Sequence, residues 1–310
     1  MINTDDLINK YKKVAVIMGG ASSEREISLL SGNAVLNSLI KSGVNAFKFD
    51  PSEDDLRTLP DICDCAIIML HGKIGEDGVI QGLLTCFKIP YAGSDVRASA
   101  LAMDKIKTKI IWSYYGIPTP RWQSVKRIEY INHTFELNLA LPVIVKPASE
   151  GSTIGVSKVF DMENLSKALA NAFDYGEFAL IEELIIGEEY AITVHNNTVY
   201  PMVKIEAPND SYDYNNKYFS DETKYTCPVS LPQDVIDKIN EYALLGYKSI
   251  GADGVARIDC MMTKKYELAF LEINTIPGMT NHSLVPNAFR AANKSFDDLC
   301  LVILNDARLH

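Results

Sequence analysis

The strongest constraint on the fold is the alternation of strand-like and helix-like segments in the first hundred residues. The run Lys13–Met18 (KVAVIM) is apolar and rich in β-branched residues, as in a buried strand, and it ends at Gly19-Gly20. Ser23-Glu24-Arg25-Glu26 fits the S-x-x-E capping box, which predicts that a helix starts there. Further strands are predicted over Ala46–Phe49 and Cys65–Leu70. This alternation predicts a parallel sheet with helices on both faces.

The chain after about residue 105 follows a different pattern, in which antiparallel strands accompany helices. A helix is predicted over Asp161–Phe173, where apolar side chains recur on one face. Strands are predicted over Tyr190–Val194 and Thr198–Lys204, joined by a tight turn at Asn196-Asn197. The polar stretch Glu206–Pro228 contains several tyrosines but has no periodicity, and loops of this length are usually functional or disordered. The chain is therefore expected to combine an α/β part with an α+β part.

The charge of the chain narrows the classes of partner. The 310 residues carry a net charge of −10, whereas nucleic acids and anionic membranes require a basic protein surface. No apolar run is long enough to span a bilayer, and the polar, acidic N-terminus is unlike a secretory signal. The six cysteines are scattered, as expected of reduced thiols. We expect a cytoplasmic, globular protein of two or three domains that binds neither nucleic acid nor membrane.

Two predicted strands near the C-terminus carry the side chains best suited to chemistry. Alternate residues of a strand share a face, so Arg257 lies beside Asp259 and Glu272 lies beside Asn274. A turn near Lys265-Tyr266 would place Asp259 opposite Glu272. Two facing carboxylates require a cation, and a set of carboxylate and amide oxygens suits Mg²⁺. The alternative is a network of Arg257 with the carboxylates that serves only the fold.

A magnesium ion of this kind implies a phosphate ligand, and phosphate oxygens require positively charged donors. The candidates are Lys105, Lys146 and Lys217, of which Lys146 ends the apolar strand Pro142–Pro147 and is expected to be partly buried. The glycine-containing loop Gly151–Gly155 follows Lys146, whereas in the G-x-x-x-x-G-K-[ST] phosphate loop the lysine follows the glycines. We interpret this loop as a flap whose backbone N–H groups close over phosphates.

Taken together, these motifs resemble the ATP-grasp superfamily and, within it, the D-alanine–D-alanine ligase family. Each motif alone is weakly specific, but their order along nearly the whole chain is highly specific. The motifs that carry the resemblance are 18-MGGASSEREIS-28, 70-LHGKIGEDG-78, 91-YAGS-94, 103-MDK-105, 143-VIVKPASEGSTIGV-156, 213-DYNNKYFSDET-223, 256-ARIDCM-261 and 271-LEINTIPGMTNHSLVP-286.

The resemblance implies a fold and a reaction. An N-terminal Rossmann-like domain over residues 1–104 would precede a two-subdomain ATP-grasp unit, 105–188 and 189–310, that holds ATP between antiparallel sheets. The carboxylate of one D-alanine would attack the γ-phosphate of ATP, giving an acyl phosphate and ADP, and the amine of a second D-alanine would attack that acyl phosphate. A tetrahedral intermediate would collapse to D-alanyl-D-alanine, a precursor of peptidoglycan, and phosphate. Two Mg²⁺ or Mn²⁺ ions and a homodimer are also implied.

The resemblance also assigns roles to residues of this sequence. The implied metal ligands are Asp259, Glu272 and Asn274. The implied catalytic residues are Glu24, Ser152, Tyr218, Arg257 and Gly278, with Arg257 and the Gly278 N–H at the tetrahedral oxyanion. The implied substrate-binding residues are Glu24, His71, Lys217, Ser283 and Leu284. The implied nucleotide-binding residues are Lys105, Lys146, Glu182, Glu183, Leu184, Glu189 and Lys217. Which of Glu182 and Glu183 meets the base stays open at this point.

Within the resemblance, Ser152 would hydrogen-bond both Glu24 and Tyr218, so that the flap ties three domains together around the closed site. Tyr218 also bears on specificity. Relatives that form an ester with D-lactate lack this tyrosine, so its presence favours the dipeptide.

Three other functions compete with this interpretation. Another ATP-grasp ligase would share the metal ligands and lysines but leave Glu24, Tyr218 and Ser283 without a common purpose. A non-catalytic ATP-binding regulator could lose Arg257 or a metal ligand, and none is missing. A dinucleotide oxidoreductase is suggested by Val14–Gly20, but the turn lacks the G-x-G-x-x-G pattern.

Overall fold

A computed structural model describes residues 4–208, 223–280 and 283–310. In the first part of the chain, β1 (Val14–Ile17), β2 (Ala46–Phe49) and β3 (Cys65–Ile68) pair in parallel in the order β2-β1-β3. The helices of this part are α1 (Thr4–Lys10), α2 (Arg25–Lys41), α3 (Leu59–Ile62), α4 (Val79–Cys86) and α5 (Val96–Met103), with a short 3-10 helix at Leu56–Thr58. Every residue of β1 and β3 is buried. The parallel sheet that the alternation predicts is therefore present.

The turn after β1 requires glycine. Gly19 has a φ of 82°, and a Cβ there would lie 2.4 Å from a carboxylate oxygen of Asp50. Asp50 is fully buried at the end of β2 and accepts hydrogen bonds from the Gly20 N–H at 3.0 Å and from the Arg25 guanidinium at 2.8 Å. Burial alone would raise the pKa of Asp50, but these partners lower it to about 2. This contact anchors the start of α2 against the sheet.

The capping box predicted at Ser23-Glu24-Arg25-Glu26 is wrong. α2 begins at Arg25, its N-cap residue is Glu24, and no side chain caps its first N–H groups. The Glu24 carboxylate instead accepts a hydrogen bond from Ser152 Oγ, which is far away in the sequence. The helix therefore begins one residue later than the capping box predicts, and the side chain at its N-cap makes a tertiary contact instead of a cap.

The central sheet is antiparallel in the order β4-β7-β5-β6. Its strands are β4 (Trp122–Lys126), β5 (Val143–Pro147), β6 (Ser157–Val159) and β7 (Phe178–Glu183), and its helices are α6 (Lys105–Tyr114), α7 (Arg127–Ile131) and α8 (Met162–Phe173). The helix α8 confirms the helix predicted over Asp161–Phe173. Asp161 is its N-cap residue and accepts the Asn164 N–H at 3.0 Å, while its apolar face is buried.

The C-terminal sheet runs in the order β11-β10-β8-β12-β13, and a short strand, β9, pairs with β8. The strands are β8 (Glu188–His195), β9 (Thr198–Val199), β10 (Val203–Glu206), β11 (Lys224–Thr226), β12 (Val255–Met262) and β13 (Leu268–Asn274). The helices are α9 (Gln233–Ser249), α10 (Leu284–Ala291) and α11 (Phe296–Asn305). The hairpin at Asn196-Asn197 is confirmed. The strand predicted over Thr198–Lys204 is divided in two around Pro201, which has no N–H to donate to a ladder.

The register of β12 and β13 decides the geometry of the site. The two strands are antiparallel, with Asp259 opposite Glu272 and Arg257 opposite Asn274. The turn between them is closed by a hydrogen bond from the Thr263 N–H to the Glu267 carbonyl at 2.9 Å. The pairing predicted from the period of two along each strand is therefore confirmed.

The largest apolar core joins the two ends of the chain. It contains β1 and β3 together with buried side chains of α10 and α11, such as Phe289 and Leu304. A second core lies between α9 and the C-terminal sheet, and a third lies between α8 and the central sheet. Among the described residues, no helix combines the length and the apolar character that crossing a bilayer requires.

Candidate active site

Eight of the predicted site residues line one cleft between the three sheets. The residues that line it include Glu24, His71, Glu76, Lys105, Ser152, Arg257, Glu272, Asn274 and Gly278. They come from the start of α2, the loops after β3 and β5, the start of α6, and the paired ends of β12 and β13. Because these elements lie far apart in the sequence, only the packing of the sheets creates the cleft.

Glu24 and Ser152 connect the N-terminal part of the chain to the flap. Glu24 is 4% exposed, and one of its carboxylate oxygens accepts the hydrogen bond from Ser152 Oγ. Gly72 has a φ of 70°, and a Cβ there would lie 2.7 Å from the other Glu24 oxygen. Gly72 of the motif LHGKIGEDG is therefore required so that the backbone can approach this carboxylate.

His71 is held in a neutral environment. It is 5% exposed, and its Nε2 lies 3.3 Å from Ser31 Oγ, which also accepts the Met279 N–H at 3.1 Å. Burial, together with the nearby charge of Arg257, lowers the pKa of His71 to about 4. The imidazole is therefore uncharged near neutral pH and can take part in hydrogen bonds without adding positive charge.

Glu76 is a carboxyl group of the cleft to which the sequence assigned no role. It is 8% exposed and accepts a hydrogen bond from the Gly72 N–H at 2.7 Å. Burial, together with the charge of Glu24, raises the pKa of Glu76 to about 8. Its place in the motif LHGKIGEDG, close to His71, was the available sequence signal for a role of Glu76 in the site. The carboxylate that helps to raise its pKa, Glu24, is remote in sequence.

The facing carboxylates carry cationic partners. Arg257 donates from Nε to Asp259 Oδ1 at 2.8 Å and from a second nitrogen to Oδ2 at 2.9 Å. Lys105 lies with its Nζ 3.3 Å from Glu272 Oε2 and donates to the Glu150 carbonyl at 2.6 Å. Both Asp259 and Lys105 are buried. Arg257 and Lys105 therefore supply part of the positive charge that the facing carboxylates of Asp259 and Glu272 need.

The side-chain oxygens at the paired ends of β12 and β13 are suitable ligands for a divalent cation. Asp259, Glu272 and Asn274 offer two carboxylates and one amide oxygen, and Asn274 Oδ1 also accepts the Ile276 N–H at 3.0 Å. In the part of the chain that the structure describes, no group of three or more His, Cys, Asp or Glu side chains is placed to hold a metal ion. Since Mg²⁺ is octahedral, a metal held by these three residues would need further oxygen ligands, such as phosphates.

Lys146 forms part of a buried charge cluster. Its Nζ forms an ion pair with Glu182 Oε2, and the other Glu182 oxygen forms an ion pair with Lys109 Nζ. Burial alone would raise the pKa of Glu182, but the two ammonium groups lower it. Lys109 is a residue that sequence reasoning missed, although it lies one helical turn after Lys105 on α6.

The adjacent residues Glu182 and Glu183 differ in burial and in their ion-pair partners. Glu182 is 2% exposed and faces the lysines, whereas Glu183 pairs at the surface with Arg121, Nε to Oε2, at 3.0 Å. Leu184 contributes its backbone N–H to the Pro142 carbonyl at 3.2 Å. Glu189 lies on β8, close enough that its charge contributes to raising the pKa of Lys146. Glu182 and Glu183 therefore cannot serve the same purpose.

Gly278 and Ser283 lie next to each other at the start of α10. A Cβ on Gly278 would lie 3.0 Å from Ser283 Oγ. Ser283 is the N-cap residue of α10, and Leu284 is its first residue, with a buried side chain. N–H groups at a helix N-terminus favour a negative charge. Lys217 and Tyr218, which the sequence analysis also assigned to the site, lie outside the described residues.

The fold and the cleft define the ATP-grasp class, in which antiparallel sheets enclose a site with buried lysines and facing carboxylates. The sequence matches the family descriptions "D-ala D-ala ligase N-terminus" over residues 42–94 and "D-ala D-ala ligase C-terminus" over residues 111–305. The chain belongs to the D-alanine–D-alanine ligase family, as the sequence motifs predicted.

Relatives and solved structures extend this result. A D-alanine–D-alanine ligase of Aromatoleum aromaticum is 46% identical over 301 residues, which cover 97% of each chain. The crystal structure of the D-alanine–D-alanine ligase from Bacillus anthracis complexed with ATP has a TM-score of 0.81 and 31% identity, over 95% of this chain and 96% of that one. The VanG D-Ala:D-Ser ligase from Enterococcus faecalis has a TM-score of 0.82 and 29% identity, over 95% of this chain and 98% of that one.

Proposed function

We propose that this protein joins two D-alanine molecules into D-alanyl-D-alanine at the expense of ATP. The observation that carries the proposal is one cleft that brings the Glu24–Ser152 pair together with Arg257, Asp259, Glu272 and Lys105. Family membership supplies the reaction class. The carboxylate of the first D-alanine attacks the γ-phosphate of ATP, which gives an acyl phosphate and releases ADP. The amine of the second D-alanine then attacks the acyl carbon, and the tetrahedral intermediate collapses to the dipeptide and phosphate.

Phosphoryl transfer of this kind depends on positioning and on neutralising charge. Lys105 and Lys146 provide ammonium groups for the phosphates, and Lys217 is proposed to reach the γ-phosphate. Asp259, Glu272 and Asn274 would hold Mg²⁺ or Mn²⁺, as two ions. When bound, the metal supplies positive charge to the oxygens of the triphosphate. Since Arg257 and Lys105 already accompany these carboxylates, the metal should bind together with the nucleotide.

The two amino acids are proposed to bind at opposite sides of the cleft. Glu24 would accept the ammonium of the first D-alanine, with the neutral His71 nearby. The second D-alanine would place its carboxylate at Ser283 and the Leu284 N–H, where the start of α10 favours an anion. Arg257 and the Gly278 N–H would stabilise the oxyanion of the tetrahedral intermediate.

The nucleotide is proposed to lie along β7 and β8. Glu182, which is buried and pairs with Lys146, is the better candidate for the base than Glu183, which pairs with Arg121 at the surface. Leu184 would contact the base and Glu189 the ribose. Ser152 would connect Glu24 to Tyr218 and so close the flap over the phosphates. We also propose the division into domains at 1–104, 105–188 and 189–310, a homodimer, a cytoplasmic location and a role in peptidoglycan precursor synthesis.

The decisive experiment is a coupled assay for ADP release, with and without D-alanine. D-Alanine-dependent release of ADP, with D-alanyl-D-alanine identified by mass spectrometry, is the expected result. ADP release without dipeptide would assign a different amine acceptor, and no D-alanine-dependent turnover would remove the ligase proposal. D-Serine and D-lactate, tested as second substrates, address the similarity to the VanG D-Ala:D-Ser ligase. Preference for D-lactate at neutral pH would contradict the role of Tyr218.

Replacing the proposed oxyanion donor tests the chemistry within the cleft. Arg257→Ala should lower kcat by about 10²–10³, the effect of removing one oxyanion donor of about 3–4 kcal/mol, with ATP affinity retained. Arg121→Ala is the matched control, because Arg121 also pairs with a carboxylate but is 70% exposed in its side chain. Equal losses in both variants, or loss of ATP binding alone in Arg257→Ala, would contradict this role.

A further inference from the structure

Three charged side chains form a buried cluster between α6 and the central sheet. Glu182 of β7 forms ion pairs with Lys109 through Oε1 and with Lys146 through Oε2. Lys109 is fully buried, Glu182 is 2% exposed and Lys146 is 8% exposed. Thr119 Oγ1 accepts a further hydrogen bond from Lys109 Nζ at 3.3 Å. Glu182 and Lys146 have roles in the proposed function, but Lys109 has none so far.

A role in the fold alone does not explain this cluster. Taking each charge out of water is unfavourable, and apolar side chains of similar volume often replace a buried ion pair without loss of stability. Apolar packing is available on the same part of the fold, since Ile106 of α6, Leu180 of β7 and Ala148, just after β5, form a small buried group. Burying three charges here is more readily explained by a task that needs a fixed carboxylate.

The cluster lies beside the path of the proposed nucleotide. Burial alone would lower the pKa of Lys146, but the charges of Glu182, Glu272 and Glu189 raise it. Glu272 belongs to the proposed metal end of the site, and Glu189 belongs to the proposed ribose end. The charges of both ends therefore act on Lys146, which pairs with Glu182, while Lys109 pairs with the other Glu182 oxygen and has no exposed surface.

We propose that Lys109 is a positioning residue for recognition of the base, holding the Glu182 carboxylate in place to accept a hydrogen bond from the exocyclic amino group of adenine. The inference rests on the proposed function, in which Glu182 contacts the base. A carboxylate has about four acceptor sites, so two ion pairs leave capacity for the base. If Lys146 turns toward a phosphate, Lys109 remains as the counter-ion that keeps Glu182 ionised. Because Lys109 is fully buried, it acts through Glu182 and does not touch the nucleotide.

The test compares ATP with purine riboside 5′-triphosphate, which lacks the exocyclic amino group. Equilibrium dissociation constants are measured by calorimetry in the absence of D-alanine, for the unmodified protein and for Lys109→Met. The unmodified protein should bind ATP about tenfold or more tightly than the analogue, as a hydrogen bond to a charged group requires. Lys109→Met should lose most of this preference through weaker ATP binding, with little change for the analogue. Lys107→Met, an exposed lysine on the same helix, is the control and should keep the preference.

A change of the same size for both nucleotides in Lys109→Met would overturn the proposal, since it would indicate a general structural effect.

A double-variant cycle provides a second measurement that avoids an unpaired buried carboxylate. If Lys109 acts through Glu182, adding Lys109→Met to Glu182→Gln should change the ATP preference less than twofold. A further large loss in the double variant would also overturn the proposal. Circular dichroism and thermal unfolding establish that each variant is folded.

The outcome is separable from that of the proposed function. The binding measurement does not depend on turnover, so an absence of D-alanine-dependent ADP release would remove the ligase proposal and leave the test of Lys109 intact. Equal binding of ATP and purine riboside 5′-triphosphate by the unmodified protein would instead remove the role of Lys109, while dipeptide synthesis could still be observed.

Discussion

At the scale of single residues, burial changes what the side chains of the cleft can do. Glu76 and His71 come from the same short motif, yet burial raises the pKa of Glu76 to about 8 and lowers that of His71 to about 4. Both shifts favour the uncharged form of the group near neutral pH. The loop after β3 therefore supplies hydrogen-bonding groups that add little charge beside Glu24 and Arg257.

The raised pKa of Glu76 predicts a pH-dependent stability. Between the ordinary value of 4.5 and the folded value of about 8, the folded chain binds more protons than the unfolded chain. The contribution of Glu76 is therefore fully present below about pH 4.5 and is lost as the pH rises through 8. Glu76→Gln keeps an acceptor for the Gly72 N–H but cannot ionise. As the pH rises from 4.5 to 8, the unfolding free energy of Glu76→Gln should therefore increase relative to that of the unmodified protein by at least about 1 kcal/mol. One pKa unit is worth about 1.4 kcal/mol.

Urea unfolding at several pH values measures this difference. The exposed Glu163, on α8, provides the matched control as Glu163→Gln. Parallel stability curves for Glu76→Gln and the unmodified protein would show that Glu76 titrates alike in both states.

At the scale of elements, the flap Gly151–Gly155 is attached to the N-terminal part of the chain by two different contacts. Ser152 donates to the buried Glu24, and Glu150, directly before the flap, pairs with Lys73 at 3.1 Å. The side chain of Glu150 is buried, but that of Lys73 is 62% exposed, so solvent screens the ion pair from the lysine side. The buried hydrogen bond should therefore control closure more strongly than the surface ion pair.

Comparing Ser152→Ala with Lys73→Met tests this ranking. Ser152→Ala removes a hydrogen bond to a charged group, of about 1.5–3 kcal/mol, and should lower kcat/KM for D-alanine about 10- to 100-fold. Lys73→Met should lower it less than about fivefold, because exposed ion pairs contribute about 0–1 kcal/mol. Steady-state kinetics at saturating ATP give both values. A larger loss in Lys73→Met than in Ser152→Ala would mean that the surface pair holds the flap.

At the scale of the whole molecule, contacts between the two ends of the chain complete the main core. The backbone of Tyr91 exchanges hydrogen bonds with Arg308, and the rings of Tyr91 and His310 stack at 4.4 Å. The Tyr11 hydroxyl, which is buried after α1, donates to the Ala307 carbonyl after α11. These contacts hold the C-terminal helices against the parallel sheet and so bring Ser283 and Gly278 near Ser31.

Removing one such contact should affect stability without affecting the reaction. Tyr11→Phe removes the hydroxyl donor of the Ala307 carbonyl, which keeps only the longer hydrogen bond from Lys10 Nζ at 3.4 Å, and should cost about 1–2 kcal/mol of unfolding free energy. Tyr114→Phe, at a tyrosine that is 85% exposed, should have no measurable effect. Urea titration measures the unfolding free energy, and kcat/KM should be unchanged because Tyr11 does not line the cleft. A kinetic defect without a change in stability would contradict this assignment.

Much of the fold could be predicted from local patterns. The parallel sheet follows from strands that alternate with helices, and the facing of Asp259 and Glu272 follows from the period of two along each strand. Several short elements were not predicted, among them the strand β4 and the helices α4, α5 and α10, because such short sequences become regular only when packed. The capping box at Ser23–Glu26 was predicted wrongly because α2 begins one residue later, with Glu24 at the N-cap, and the Glu24 carboxylate is directed to Ser152.

The sequence by itself determined the family, the order of the motifs and the residue types of the site, because these depend on side-chain chemistry and on spacing along one chain. Only the tertiary structure decided that Glu182 pairs with Lys109 and Lys146 while Glu183 pairs with Arg121 at the surface, and that Glu76 lines the cleft. Contacts between remote elements decide which carboxylate is buried, and the desolvation of each charge then decides its ionisation and its partners.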